Sequence, residues 1–549
     1  MRVEEQVFSQ LSSLGVSAAF GVPGSQNVGY YDAIDRSAIN LTTTTHELSA
    51  GFAAVAFGRV ARRPAVLLTI PGPGMTDSIS ALAEALHDSV PLIMVTQRAS
   101  SKDGPRYQLQ ALDEKALLAP VVKSVVELGS VEQVSGAVAT AYSRATTGAP
   151  GPVVLIVDKG LGHQKAELQQ IAASEDPGSS TESLLQLAER ISNSRKILFF
   201  VSHAADSVSA ELKRLADATG ASVMATPGAR GVFDELLPGY LATDERDPEL
   251  INSILSTYDL IVSFGVKYSH SNTFGFELSM PPDRLVHVSS DPLPAEDLHS
   301  SAHIVFDPAA AISFLAQRFT DSQGRPSERA KTDKVPLSQL LEPTVIGTRS
   351  GTVCAFFQEL RTILPSESIL VTDTGNHQTF ARRHFSVGRP AGLLTPAEFQ
   401  FMGFGLPAAL GAKCAEPDTP VVLIIGDGGL QVSGMELATL TKLELGIPIF
   451  VFCNGRFESI HQQQTQRFGR TVGTDLPVVR LDSLAAAFGL SYDKLDNNLA
   501  EVLSNSLGRC VPTIIEVELV DSPAIKSQAR KSAVKGVIRK LVPDSLLRR

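Results

Sequence analysis

Asp427 and Asn454 are the residues whose types and separation point most directly to chemistry. Asp427 stands among glycines in Gly426-Asp427-Gly428-Gly429, and Asn454 follows 27 positions later. Each sits just after a short apolar run, VVLII (421–425) and IPIFVFC (447–453). Such runs predict buried parallel strands. Between them, 434–446 reads as a crossover helix with Met435, Ala438, Leu440 and Leu443 available to face the sheet. Neighbouring parallel strands of a right-handed βαβ unit end on one sheet edge, where open α/β sheets bind ligands. A carboxylate oxygen and an amide oxygen meeting there suit a hard cation such as Mg²⁺, which takes few protein oxygens and completes its shell with phosphates. Gly426, Gly428 and Gly429 leave room and N–H groups for a diphosphate. The same residues also suit two ordinary βα turns, in which Gly, Asn and Asp are common.

The elements that must carry this edge recur along the chain. Three segments alternate apolar runs with helical patterns, which predicts an α/β protein of three doubly wound parallel-sheet domains. The first spans 1–165, with strands at AAFGV, INLTTT, AVLLTI, PLIMVTQ and PVVLIVD. The second spans 184–320, with strands at KILFFVS, ASVMAT, YDLIVSFG and RLVHVSS. The third spans 350–522, with strands at SILVTD, PVVLIIGD, IPIFVFCN and PTIIEVEL. Polar stretches at 166–183 and 320–334 read as linkers, since neither can bury much apolar surface. A tail at 523–549 carries eight Lys/Arg against the single acid Asp544 from residue 526 on. It reads as a solvated helix on an acidic body, with a lid over an active site as the alternative.

Composition narrows the function classes. A length of 549 residues allows about three domains. A net charge of -10 argues against a nucleic-acid surface. Cys354, Cys414, Cys453 and Cys510 are scattered without a CxxC pair, which fits a reducing cytoplasm and gives no zinc signature. The start, MRVEEQVFSQLSSLGV, lacks the basic-then-apolar pattern of a signal peptide, and no apolar run reaches membrane-spanning length.

The spacing from GDG to Asn454 resembles the motif of thiamine diphosphate-dependent enzymes, and further stretches resemble their acetolactate synthase-like branch in the same order. These are FGVPGS (20–25), THELSAGFAAVAFGRVA (45–61), TIPGPGMTD (69–77), HDSVPLIMVTQ (87–97), TDTGNHQ (372–378) and FMGFGLPAALGA (401–412). The resemblance implies pyrimidine-binding, middle and diphosphate-binding domains. It also implies Mg²⁺ on Asp427, Asn454 and the carbonyl of Arg456, with Gly375, Asn376, His377, Gly426, Gly428 and Gly429 around the diphosphate. Met402 would prop the cofactor. Glu47, otherwise an ordinary helix-start acid, would hydrogen-bond N1′ of the aminopyrimidine. Cys453 replaces the first of two asparagines usual in the family, but the liganding place is the second. Gln400 stands where a glycine is usual.

The resemblance further implies a homodimer or homotetramer in which Glu47 of one subunit serves the diphosphate site of another. The expected activity is a carboligase: decarboxylation of a 2-oxo acid and transfer of the acyl anion equivalent to a second carbonyl. Gln110 matches a cofactor-side glutamine of this branch, although Leu109 replaces the aromatic before it. The histidine pair of pyruvate decarboxylase-like enzymes is absent from DGPRYQLQALDEKALLAPVVKS, as is the histidine that benzoylformate decarboxylase-like proteins place before the GPG turn, here Leu68 and Thr69. Glu458 and His461 read either as acid/base groups on a helix facing the site or as solvated residues. Alternatives are a 2-oxo acid decarboxylase releasing an aldehyde and a non-catalytic cofactor-binding subunit. The middle domain's stretches GARGVFDELLPGYLATDERD and FGVKYSHSNTFGF lack the arginine and glycine pattern of flavin contacts, so FAD is not favoured. The expected partners are small molecules, with no nucleic acid and no membrane.

Overall fold

A computed structural model of the protein describes residues 1–98, 109–165, 181–242, 248–291, 300–321, 344–346, 352–496 and 498–521. The basic tail, most of both polar linkers and part of the DGPRYQLQ stretch lie outside these residues.

Three sheets form from the three segments. The first contains β1 (Ala18–Gly21), β2 (Asn40–Thr43), β3 (Ala65–Leu68), β4 (Leu92–Arg98), β5 (Ser124–Leu128) and β6 (Pro152–Asp158). All are parallel, in the order β2-β1-β3-β4-β6-β5. The second contains β7 (Ile197–Val201), β8 (Ser222–Ala225), β9 (Leu260–Phe264), β10 (Leu285–Ser289) and β11 (Ala302–Val305), in the order β11-β10-β9-β7-β8. The third contains β12 (Thr344–Ile346), β13 (Ile369–Thr372), β14 (Leu393–Leu394), β15 (Val421–Gly426), β16 (Pro448–Cys453), β17 (Ser491–Lys494) and β18 (Thr513–Asp521). Its order is β12-β18-β16-β15-β13-β14, with β17 also on β18. β12 runs antiparallel to β18, so this sheet carries one antiparallel edge.

Continuous apolar runs became the central strands, which are buried throughout because helices cover both faces. The strands that no run announces are β5, β11, β12, β14 and β17. β5 and β11 mix buried with partly or fully exposed positions, β17 has no fully buried position, and β14 has two residues. A strand half-open to water needs no unbroken apolar run.

The expected helix over 434–446 is corrected by the structure. A helix starts at once over Asp427–Ser433, passes through a tight 3-10 turn at Gly434–Glu436, and resumes over Leu437–Lys442. The turn shifts the helical phase, so Leu437 and Leu440 are buried while Met435 and Leu443 face outward.

One hydrophobic core runs through the first and third domains without a break. Its centre is the contact between helices Glu47–Ala61 and Gly405–Ala415. Small residues allow the backbones to touch: a Cβ on Gly411 would lie 2.0 Å from the carbonyl oxygen of Ala53. Phe52 packs against Phe401 and Phe404, with ring centroids 5.4 and 5.5 Å away. The middle domain is tied on by polar groups. Arg230 pairs with Glu235 and donates to the carbonyls of Arg382 and Phe385, while Glu235 accepts the N–H of Val387 at 3.0 Å. Lys267 Nζ donates to the carbonyls of Leu86 and His87 at 2.8 and 3.1 Å.

Two outcomes follow for stability. Gly411→Val forces the helices apart, so a thermal melt of that variant should show a loss at or beyond the ~1–3 kcal/mol usual for overpacking. In the middle domain, burial pushes the His287 imidazole down to about 3, helped by nearby His303. Between pH 6.5 and that value the unfolded chain binds a proton that the folded chain refuses. Stability is therefore full above pH 6.5 and drops as pH falls, and melts from pH 7 to 4 should show a shallower decline in His287→Gln.

Candidate active site

β15 and β16 are neighbouring parallel strands, paired from Leu423 with Ile449 to Gly426 with Phe452. Asp427 and Asn454 therefore emerge side by side at one edge. The Asp427 carboxylate holds the two loops together. Its Oδ2 accepts the N–H groups of Gly455 at 2.7 Å and Asn454 at 3.1 Å, and its Oδ1 accepts that of Gly428 at 2.9 Å. Burial raises its pKa, and these backbone donors oppose the rise.

The Asn454 amide is oriented from its nitrogen side. Its Nδ2 donates to Glu458 Oε2 at 2.7 Å, which leaves the amide oxygen for acceptance; that oxygen takes the Arg456 N–H at 3.3 Å. Glu458 is in turn paired with Arg456 Nε and accepts from Gln462 Nε2. The segment bearing the Arg456 carbonyl is pinned by Phe457 N–H to the Thr474 carbonyl and Leu476 N–H to the Gly455 carbonyl, each 2.8 Å. Cys453 turns its thiol toward the Val451 carbonyl at 3.4 Å, and burial pushes that thiol up. It is thus a packing residue, and the polar position is the next one.

The neighbouring strand supplies the second wall. β13 ends at Thr372, and the fully buried Asp373 follows. Its oxygens accept the N–H groups of Thr374 at 2.6 Å and of Gly403 and Gly405 at 3.0 Å. Burial pushes this carboxyl up to about 6 against those donors. The carboxylate thereby fixes the turn in which Met402 sits half-buried. Gln400, two residues earlier, has φ +55°, the left-handed conformation that glycine adopts at least cost. The backbone shape expected of a glycine is kept, with an exposed amide side chain added.

Gly375, at φ +149°, precedes the helix Asn376–His384. His377 is buried, and burial pushes its imidazole down to about 4, so the ring is neutral at working pH. Its Nε2 is buried without a protein partner, and the ring faces Gly426, where a Cβ would lie 3.4 Å from Cε1. An orphaned ring nitrogen beside helix-start N–H groups, two oxygen acceptors and a glycine-lined floor fits a diphosphate with a divalent cation. Two glycines also serve the fold: a Cβ on Gly428 would meet the Phe457 ring at 2.8 Å, and one on Gly429 the Asp373 carboxyl at 3.1 Å.

A second half-site forms in the first domain. Glu47 opens its helix, and a Cβ on Gly74 would lie 3.0 Å from Glu47 Oε1. Gln110 approaches the same Gly72-Pro73-Gly74 turn: a Cβ on Gly72 would be 2.8 Å from Gln110 Cβ, and the amide oxygen of Gln110 is buried without a partner. Leu109 beside it is exposed. Among the described residues, neither Glu47 nor Gln110 exchanges a hydrogen bond with Asp427 or Asn454. His461 turns to Thr474 Oγ1 at 3.3 Å and not to Asn454. The described residues place one His/Cys/Asp/Glu cluster together, His46 with Glu47 and Asp77.

Comparison with known proteins places the whole chain. Models of the thiamine pyrophosphate enzymes fit in chain order: the N-terminal TPP binding domain over residues 1–117, the central domain over 184–315 and the C-terminal TPP binding domain over 373–517. The chain belongs to the thiamine pyrophosphate enzyme family. Its relatives include the acetolactate synthase isozyme 1 large subunit of Escherichia coli, 26% identical over 93% of this chain and 92% of that one. A probable acetolactate synthase large subunit of Methanocaldococcus jannaschii is 25% identical over 96% and 93%. The Escherichia coli isozyme 2 large subunit is 26% identical over 89% and 90%. Over most of its length the chain is therefore similar to acetolactate synthase large subunits.

Sequence reasoning missed Asp373 and the supporting role of Glu458. An acid ending a strand ahead of a glycine turn was the available signal for the first. The second depends on helix phase. Glu458→Ala should weaken Mg²⁺ and thiamine diphosphate binding by the ~10–100-fold typical of residues that orient a ligand, measured by calorimetric titration.

Proposed function

We propose that this enzyme decarboxylates a 2-oxo acid and transfers the acyl anion equivalent to a second carbonyl. The observation that carries the proposal is Gln110 beside Glu47: a buried amide oxygen without a partner and a carboxylate share the Gly72–Gly74 turn. This supports an acceptor oriented by hydrogen bonds next to the group that handles the proton. His461, engaged with Thr474, supports ligation over simple protonation and aldehyde release. When bound, thiamine diphosphate supplies the electron sink through which carbon dioxide can leave.

In this reading Asp427, Asn454 and the Arg456 carbonyl hold Mg²⁺, and neutral His377 offers its ring nitrogen to the diphosphate. Met402 supports the ring system. Glu47 holds or moves the proton at N1′ of the aminopyrimidine, and Gln110 orients the acceptor. A second copy would complete the site. Exposed apolar residues support this, among them Val432, Met435, Ile460, Phe468, Val472 and the 91% exposed Val478, on the segments that follow Asp427 and Asn454. FAD stays disfavoured: Arg230 of the GARG stretch is committed to Glu235 and to the third domain's carbonyls. A cavity of about 430 Å³ at the carboxyl ends of β7, β9 and β10 is where a middle-domain ligand would sit. No helix among the described residues is long and apolar enough to cross a membrane; the four cysteines, none of them in a disulfide, support a cytoplasmic setting.

The test is carbon dioxide release from a 2-oxo acid panel with Mg²⁺ and thiamine diphosphate, with and without aldehyde or keto-acid acceptors. Release that rises with an acceptor and yields an adduct is expected. Aldehyde accumulating regardless of acceptor would make the enzyme a decarboxylase. Glu47→Gln should still bind cofactor and lose at least the ~10²–10⁴-fold typical of acid/base groups; near-normal turnover would remove Glu47 from that role.

A further inference from the structure

Glu47 lies at the start of its helix, and a helix start frays unless something holds it. The holding group comes from another domain. Thr45, two residues ahead of Glu47, donates both its backbone N–H, at 2.9 Å, and its hydroxyl to Glu436 Oε1. The two residues are 391 positions apart in sequence. Glu436 is buried, in the 3-10 turn Gly434–Glu436 that directly follows the helix begun by Asp427. Its other oxygen accepts the Thr439 hydroxyl at 2.9 Å, so the carboxyl group cannot swing away from Thr45 without losing a bond at each end.

Closer to Glu47 the anchors are local: the hydroxyl of buried Thr44 donates to the His46 carbonyl at 3.0 Å, and the remaining contacts are those of the His46 ring. His46 Nδ1 accepts the Leu48 N–H at 3.1 Å, and His46 Nε2 lies 3.7 Å from Asp77 Oδ2, with both side chains about half exposed. An exposed pair of this kind contributes little, whereas a buried carboxyl accepting three hydrogen bonds is costly to remove.

We propose that Glu436 is a positioning residue for Glu47: a buried strut from the diphosphate-binding domain that fixes where the activating carboxylate points. The inference rests on the role given to Glu47 above. It adds a division of labour within the chain. The segment after Asp427 serves the diphosphate with its first residue and aims the acid of the other half-site with its last turn.

The chemistry of the strut supplies a conservative variant. Glu436→Gln keeps an oxygen for Thr45 and can donate its amide to the Thr439 hydroxyl. Glu436→Ala removes the strut. Two measurements separate positioning from bulk structure. In protein without cofactor, hydrogen–deuterium exchange of the peptide covering residues 45–48 should quicken in Glu436→Ala and stay near wild type in Glu436→Gln. In protein loaded with thiamine diphosphate and Mg²⁺, exchange of the cofactor's C2 proton, read by quenched-flow NMR, should slow at least tenfold in Glu436→Ala. Cofactor Kd should stay within about threefold, and Glu436→Gln should recover most of the rate.

Unchanged amide exchange at 45–48, or unchanged C2 exchange in a folded Glu436→Ala protein, would overturn the proposal. A Kd that rises in step with the lost rate would also overturn it, since the strut would then serve the diphosphate loop. If Glu436→Ala does not fold, Thr45→Val, which removes only the hydroxyl bond, should give the same pattern at smaller amplitude; wild-type C2 exchange in it would overturn the proposal. Glu47→Gln is the control for the underlying reading: C2 exchange at the wild-type rate in that variant would refute the role of Glu47 itself, independently of Glu436.

Discussion

The contact between helices Glu47–Ala61 and Gly405–Ala415 is the constraint on which the rest of the molecule depends. Its closeness comes from missing atoms, at Gly411 against the Ala53 carbonyl. At that distance the cores of the first and third domains merge, and the aromatic trio Phe52, Phe401 and Phe404 seals the seam. One of these helices begins at Glu47. The other directly follows the turn that carries Met402. Apolar packing thus sets the coarse position of two polar elements, because burial favours close approach without specifying which groups end up at the rim.

Fine placement falls to carboxyls, the buried Asp373 and the partly buried Glu458. Asp373 draws the Met402 turn onto β13 through backbone N–H groups, and Glu458 sets the face that Asn454 presents. Neither needs to touch a ligand to matter. Each removes rotational freedom from a neighbour that does, and a buried acceptor left without its donors costs more than the bond itself yields. The sheet edge is in this sense a layer of oriented side chains resting on a layer of orienting ones.

How much of this could be read from sequence follows from how local each signal was. Asp427 and Asn454 were legible because one βαβ unit carries both, and strand pairing alone brings them together. The central strands were legible as apolar runs. β5, β11 and β17 were not, since polar residues interrupt them and none is buried along its whole length. The phase of the helix after Asp427 was misread because a 3-10 turn at Gly434 interrupts a pattern that looks continuous. Gln110 meeting Gly72, and the left-handed backbone of Gln400, depend on loop conformations that no periodicity encodes. The three family stretches of the third domain named loops that the structure brings to one sheet edge, but not the hydrogen bonds inside them.

The Asp427 carboxylate has one further consequence. Both of its oxygens are engaged by N–H groups of the two loops they join: Oδ2 accepts two, and Oδ1, accepting one, keeps a lone pair for a cation. The protein's own hydrogen bonds therefore hold the two loops to one shape. Loops tied in this way need less ordering when a ligand binds, so less of the binding free energy goes into fixing them.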